Sequence, residues 1–231
     1  MLYLISLGLH DEKDMSIRAV EAAKKCNSVY VEFYTNKAST NAKKLSELIE
    51  RPVQELDRHG LEERSAALLR EARGKDVAII VPGDALTATT HISLLLDARE
   101  QGVRTNVIHG SSIISAVGET GLQVYKFGRT VTLTKPVQKS MLKALENNRK
   151  IGLHTLVLLD IGMTARQGLE LLRSETGDEK VVVACSMGAN NQIISYGKAE
   201  ELLKKYTNKE PAVIIIPGKL HFMEKEYLES I

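Results

Sequence analysis

Tryptophan is absent from this 231-residue chain, and aromatic residues make up only 4% of it. Aliphatic side chains must therefore build the core. Cysteine is scarce: Cys26 and Cys185 are the only two, and they stand far apart in sequence. That excludes a cysteine-based metal site and predicts a reduced, cytoplasmic protein. An excess of one charge is also missing. Lys and Arg number 31 against 29 Asp and Glu, a net charge of +2, so neither a nucleic-acid polyelectrolyte contact nor an acidic tail is expected. Long apolar runs are lacking as well. "VAIIVP" and "AVIIIP" fall far short of the roughly 20 residues that span a bilayer, so no membrane association is expected. The opening "MLYLISLGL" has no basic flank and runs at once into "HDEKD", unlike a signal peptide.

Several catalytic signatures are absent too. No G-x-G-x-x-G follows a strand, and there is no Walker A sequence, G-x-S-x-G elbow or H-E-x-x-H. The six histidines, at 10, 59, 91, 109, 154 and 221, show no metal-ligand spacing, so no metal is expected.

What remains is an alternation of short apolar runs with helix-length amphipathic segments. The pattern predicts strands near 2–8, 28–34, 76–82 and 103–109. Helices are predicted near 14–26, 39–50, 61–73, 87–101 and 111–118. Runs apolar on both sides, such as "DVAIIVP", suit a parallel sheet covered by helices on both faces. The texture changes after residue 120. "LQVYKFGRTVTLTKP" reads as strand, turn and strand, and the domain boundary is placed within 128–136. The second half has predicted strands near 153–159, 180–186, 192–196 and 212–216, and helices near 137–148, 164–174 and 198–205. The fold class is thus α/β: an N-terminal domain over 1–130 with a mostly parallel sheet, and a C-terminal domain over 131–231 with a mixed one. One internal echo stands out, "AIIVPGDAL" at 78–86 and "VIIIPGKL" at 213–220; chance similarity of strand ends also explains it.

Ligands of open α/β sheets bind beyond the carboxyl ends of strands, which directs attention to four stretches. In "ISLGLHDEKD", Gly8 allows close backbone approach to a ligand, while Asp14 as a helix cap explains the acids equally well. In "VPGDALTATTH", Gly83 permits a conformation other residues resist. Asp84 and Thr87 there either cap the next helix or hold a polar group of a ligand. In "IHGSSIISAVGETGL", Gly110, Ser111 and Ser112 open a helix whose free amides suit a polar or anionic group, and serine capping alone explains them too. The second half offers "LHTLVLLDIG", "VVVACSMGAN" and "IIIPGKLHFME", each a strand entering a glycine turn.

Taken in order, "LGLHDEKDMSI", "VEFYT", "VPGDALTATTH", "IHGSSIISAVGETGLQVYKFG", "GLHTLVLLDI" and "IIPGKLHFMEKEYL" cover nearly the whole chain. In them the sequence resembles the diphthine synthases, an archaeal-type branch of the tetrapyrrole methylase-like methyltransferases. The resemblance implies two α/β domains with S-adenosyl-L-methionine bound in the cleft between them, S-adenosyl-L-homocysteine as product, and a homodimer. It implies N-methylation of the modified histidine of translation elongation factor 2, a step of diphthamide biosynthesis. It also carries cofactor contacts onto Leu9, Asp84, Thr87, Ser112, Ile113, Leu159, Met187 and His221. Two departures follow. Ala85 stands where the family usually has proline, which implies a looser loop, and the 132–143 segment is shorter than the aromatic-rich loop expected there. Rival readings are a related methyltransferase acting on a corrin precursor and a cofactor-binding module without turnover. Methyl transfer from a sulfonium needs alignment more than acid–base machinery, and the sequence nominates no general base.

Overall fold

The computed structural model describes residues 1–63, 65–177, 179–205 and 209–231, which fall into two compact units, Met1–Ile113 and Ile114–Ile231.

The first unit is built on β1 (Leu2–Ser6), β2 (Ser28–Glu32), β3 (Val53–Leu56), β4 (Val77–Val81) and β5 (Thr105–Ile108). Their order is β3-β2-β4-β1-β5, and every pairing is parallel. The helices α1 (Ile17–Lys25), α2 (Ala42–Ile49), α3 (Ser65–Gly74) and α4 (Ile92–Glu100) lie between the strands in sequence. Central β4 reads VAIIV and is buried at every position. Side chains alternate across a strand, so Ala78 and Ile80 join Ala19, Ala23, Leu45 and Ile49 of α1 and α2 on one face. Val77, Ile79 and Val81 join Leu68, Leu69, Leu94 and Ala98 of α3 and α4 on the other. Both faces are covered, as the unbroken apolar runs predict.

Element ends differ from the sequence reading for local reasons. The helix expected at 14–26 starts at Ile17, because the Ser16 hydroxyl caps it by accepting from the Ala19 N–H at 3.1 Å. Asp14 belongs instead to a 3₁₀ turn, Glu12–Asp14. The segment 61–73 divides into a π-helical turn, His59–Glu63, and α3; residue 64 of that predicted helix lies outside the described residues. The helix expected from 87 begins only at Ile92. Strand β3 was not expected.

The second unit carries β6 (Val131–Leu133), β7 (Thr155–Leu159), β8 (Lys180–Cys185), β9 (Ile193–Lys198) and β10 (Ala212–Ile216), in the order β6-β7-β10-β8-β9. Only β6 and β7 run parallel; the other pairings are antiparallel, so the sheet is mixed, as expected. Helices α6 (Lys139–Lys150), α7 (Ala165–Thr176), α8 (Ala199–Lys205) and α9 (Phe222–Glu229) complete it, after the single turn α5 (Ile113–Ala116). Its core joins Leu133, Leu145, Val157, Leu169, Val183 and Ile214. The echo now has a structural meaning. Its two copies are β4 and β10, each the middle strand of its own five-stranded sheet.

The units divide at Ile113/Ile114, ahead of the boundary placed within 128–136. The segment between belongs with the second unit because its polar groups are tied there. The Gln123 N–H and the Lys126 ammonium donate to Glu224, and the Gly128 N–H donates to the His154 carbonyl at 2.9 Å. The first half of the expected strand–turn–strand is a 3₁₀ turn, Val124–Lys126, and only the second half is a strand, β6.

Candidate active site

In the first unit, β1 lies between β4 and β5, so the loops leaving their carboxyl ends are neighbours. The loops after β1 and β4 are latched by a two-glycine bridge. The Gly8 N–H donates to the Gly83 carbonyl at 3.1 Å, and the Gly83 N–H donates back to the Gly8 carbonyl at 2.8 Å. Both glycines have positive φ, +102° and +73°, a region that side chains resist. At Gly8 a Cβ would lie 2.4 Å from that of Asp14. Asp14 closes the same turn by accepting the His10 N–H at 2.6 Å, so it clamps the loop and caps no α-helix.

Asp84 is the hub of the site. One carboxylate oxygen accepts from the Leu86 N–H at 3.1 Å and the Thr87 hydroxyl at 3.2 Å. The other accepts from the Gly110 N–H at 3.2 Å and the Ser6 hydroxyl at 3.5 Å, and stands 2.8 Å from Nδ1 of His109. Burial alone would raise the Asp84 pKa, but the His109, Leu86 and Gly110 hydrogen bonds outweigh it and hold the carboxyl below its ordinary value. Asp84 thus draws together the ends of β1, β4 and β5. Neither it nor Thr87 caps the following helix, whose N-cap position is His91. The loop is not loosened at Ala85 either. Ala85 is fully buried and its N–H donates to Ser6 Oγ at 3.0 Å, a bond proline cannot make.

The other predicted positions of this unit lie on the same loops. Leu9, Thr87 and Ile113 are half-buried and Ser112 is buried. Gly110 packs against Ser6, whose Cβ would lie 2.8 Å from a Cβ at that glycine. The free amides expected after β5 are fewer than the sequence implied: Gly110 donates to Asp84, and α5 is a single turn with little macrodipole. A cavity of about 270 Å³ in the same unit is lined by Tyr34, Arg58, Thr90, His91, Ser93 and Asp97. Buried Glu32 stands 3.8 Å from Nε2 of the buried His91.

In the second unit, Leu159 ends β7 half-buried, Met187 is buried in the turn after β8, and His221 is exposed. His221 is the N-cap of α9, its Nδ1 accepting from the Met223 N–H at 3.4 Å. Its loop is held by buried Glu224, which accepts from the His221 N–H at 2.7 Å, the Gln123 N–H at 2.9 Å and the Lys126 ammonium. Nε2 of the fully buried His154 lies 3.0 Å from the same carboxylate. Nδ1 of His154 accepts the Gly218 N–H at 2.9 Å, so Nε2 carries the proton and donates to Glu224. Burial would raise Glu224, yet the donors, Lys126 foremost, bring it down to about 2. Burial lowers His154, against the pull of Glu224.

Sequence reasoning missed Ser6, His109, His154 and Glu224 as parts of these networks. His109 carried a usable signal, since it follows β5 directly within "IHGSS". The partners of Glu224 are up to 101 residues away and carried none. Among the described residues, no group of three or more His, Cys, Asp or Glu is placed to hold a metal ion, and no helix is long and apolar enough to cross a membrane.

Residues 1–203 match the tetrapyrrole (corrin/porphyrin) methylases. The chain belongs to this family. Among tetrapyrrole methylases it is 37% identical to a diphthine synthase of Methanococcus maripaludis and 38% identical to that of Methanocaldococcus jannaschii. Each alignment covers 100% of this chain and 98% of the relative. A crystal structure of a diphthine synthase superposes with a TM-score of 0.93 at 36% identity, covering 99% of this chain and 94% of the other. This tetrapyrrole methylase is therefore an S-adenosylmethionine-dependent methyltransferase, grouped with the diphthine synthases, and both of its sheets have the architecture expected from sequence.

Proposed function

We propose that the chain methylates the amino group of the modified histidine of translation elongation factor 2, with S-adenosyl-L-methionine as donor, in diphthamide biosynthesis. The full-length likeness to diphthine synthases carries this reading. The loops at the carboxyl ends of β1, β4 and β5 suit it. Leu9 and Ile113 offer apolar contact, and Ser112 and Thr87 offer hydroxyls. At Gly83 no atom lies within 4 Å of where a Cβ would be, so a ligand can approach the backbone. These are the features of a pocket for a largely apolar ligand with few polar anchors. In this reading Leu9, Asp84, Thr87, Ser112 and Ile113 of the first unit and Leu159, Met187 and His221 of the second contact the cofactor, as the resemblance implies. Homodimeric assembly and a cytoplasmic location are carried on the same resemblance.

When bound, S-adenosylmethionine supplies an electrophilic methyl group on a sulfonium. The chain's own part is to hold the acceptor amine neutral and in line, and to keep water out; alignment of this kind accounts for a large share of a two-substrate barrier. The Asp84 and Gly8–Gly83 bonds serve that end by fixing the loops before any ligand arrives.

Mass spectrometry of precursor-bearing elongation factor, incubated with the protein and S-adenosylmethionine, tests the reading. Mass gains in steps of one methyl are expected. An unchanged mass with the cofactor still bound means a binding module, and methylation of a corrin precursor instead means the other branch of the family.

A further inference from the structure

We infer that His109 is the base that takes the proton from the acceptor amine, held in the working tautomer by Asp84. The inference rests on the proposed methyl transfer to an amine and adds the residue that the sequence did not nominate.

His109 follows β5 directly, on the strand-end loop that begins "HGSS". Its Nδ1 lies 2.8 Å from Asp84, and its side chain is 68% exposed, whereas that of Asp84 is 9% exposed. Asp84 is held ionised by donors from the end of β1 and from the loops after β4 and β5, so it accepts and cannot donate. The proton between the two therefore sits on Nδ1 of His109. Nε2 of the neutral ring then carries a lone pair, and the ring's exposure leaves it accessible on the strand-end loop. A buried carboxylate, a ring nitrogen bonded to it and a second nitrogen facing outward form the arrangement by which a histidine accepts protons in many enzymes.

An alkylammonium has no lone pair to attack a methyl group. His109 Nε2 takes one proton from it, leaving a neutral amine and an imidazolium whose charge Asp84 stabilises. The amine lone pair forms the N–CH3 bond as the S–CH3 bond breaks, and that bonding pair goes to sulfur. The imidazolium then returns its proton to water. No redox partner is needed, and atoms and charge balance.

Two measurements on the full-length protein test this. In the cofactor-free protein, nitrogen NMR of the neutral His109 ring is expected to show Nδ1–H. Free imidazole side chains favour the opposite tautomer, so Nε2–H at His109 overturns the inference without reference to any substrate. For His109→Gln, kcat on the elongation factor is expected to fall about 100-fold with S-adenosylmethionine affinity unchanged, and added imidazole is expected to restore part of the rate to His109→Ala. A His109→Gln protein as active as wild type, or no rescue by imidazole, overturns it. Failure of the functional reading looks different: there the wild-type protein itself leaves the elongation factor's mass unchanged.

Discussion

Two hydrogen-bonded carboxylate–histidine pairs, Asp84 with His109 in the first unit and Glu224 with His154 in the second, are opposites in use. Asp84 and His109 lie 2.8 Å apart with the imidazole largely in the open. Glu224 and His154 lie 3.0 Å apart with both side chains sealed. In the second pair every ring nitrogen is engaged, one by the Gly218 N–H and one by the carboxylate, so the ring has nothing left to offer a ligand. In the first, one nitrogen remains. The same two functional groups thus become a fastener or a reagent according to how many partners the imidazole already has.

Removing the fastener has the largest expected effect. Glu224→Ala leaves Lys126, His154 and two backbone N–H groups without their acceptor. It is expected to cost about 3–5 kcal/mol, the range for breaking a buried charged pair, read as a shift in the urea midpoint. Acid acts on the same pair. The depressed pKa of Glu224 gives stability that is complete above its unfolded value and lost as pH falls towards about 2. His154, also depressed, adds a loss that begins as pH falls below its unfolded value of roughly 6.5. Urea unfolding from neutral to acidic pH is expected to show the second unit weakening as pH drops. Glu224→Ala is expected to abolish the part of that loss below roughly pH 4.3 while leaving the part due to His154, whose pKa Glu224 holds up.

Asp84→Ala comes next. Its donors lie nearer the surface and water can replace some of the bonds, so about 2 kcal/mol is expected. Calorimetric titration is expected to show weaker S-adenosylmethionine binding as well, because the loops after β1, β4 and β5 lose their common tie. Wild-type affinity in a well-folded Asp84→Ala protein contradicts that role. The smallest effect on the fold is expected from His109→Ala, about 1 kcal/mol, because one hydrogen bond to Asp84 is lost at a ring that is largely exposed. A His109→Ala protein as unstable as Glu224→Ala would erase the contrast between the pairs.

The sequence made the sheets legible wherever strands are buried on both faces. The β4 and β10 runs announce themselves, and their Pro-Gly echo marks the centre of each sheet. Strand β3 hid because Gln54 and Glu55 face solvent and break the apolar run. Helix α9 hid because Phe222, Met223 and Tyr227 stay exposed, leaving no periodic buried face to read. The strand-end loops could be chosen in advance from sheet physics. The pairing of Asp84 with His109 could not, because it exists only once β1 has been laid between the strands that carry them.

Ser6 has a single hydrogen that can swing about its C–O bond. The Ala85 N–H points at that oxygen and occupies its accepting side, so the hydrogen is turned towards Asp84. The polarity therefore runs one way, from amide to hydroxyl to carboxylate, and meets the imidazole proton arriving from the other side. A proline at 85 would stiffen the turn with its ring yet leave the hydroxyl free to rotate. Alanine reaches a comparable stillness by another route, and in doing so it gives the loop a direction as well as a shape.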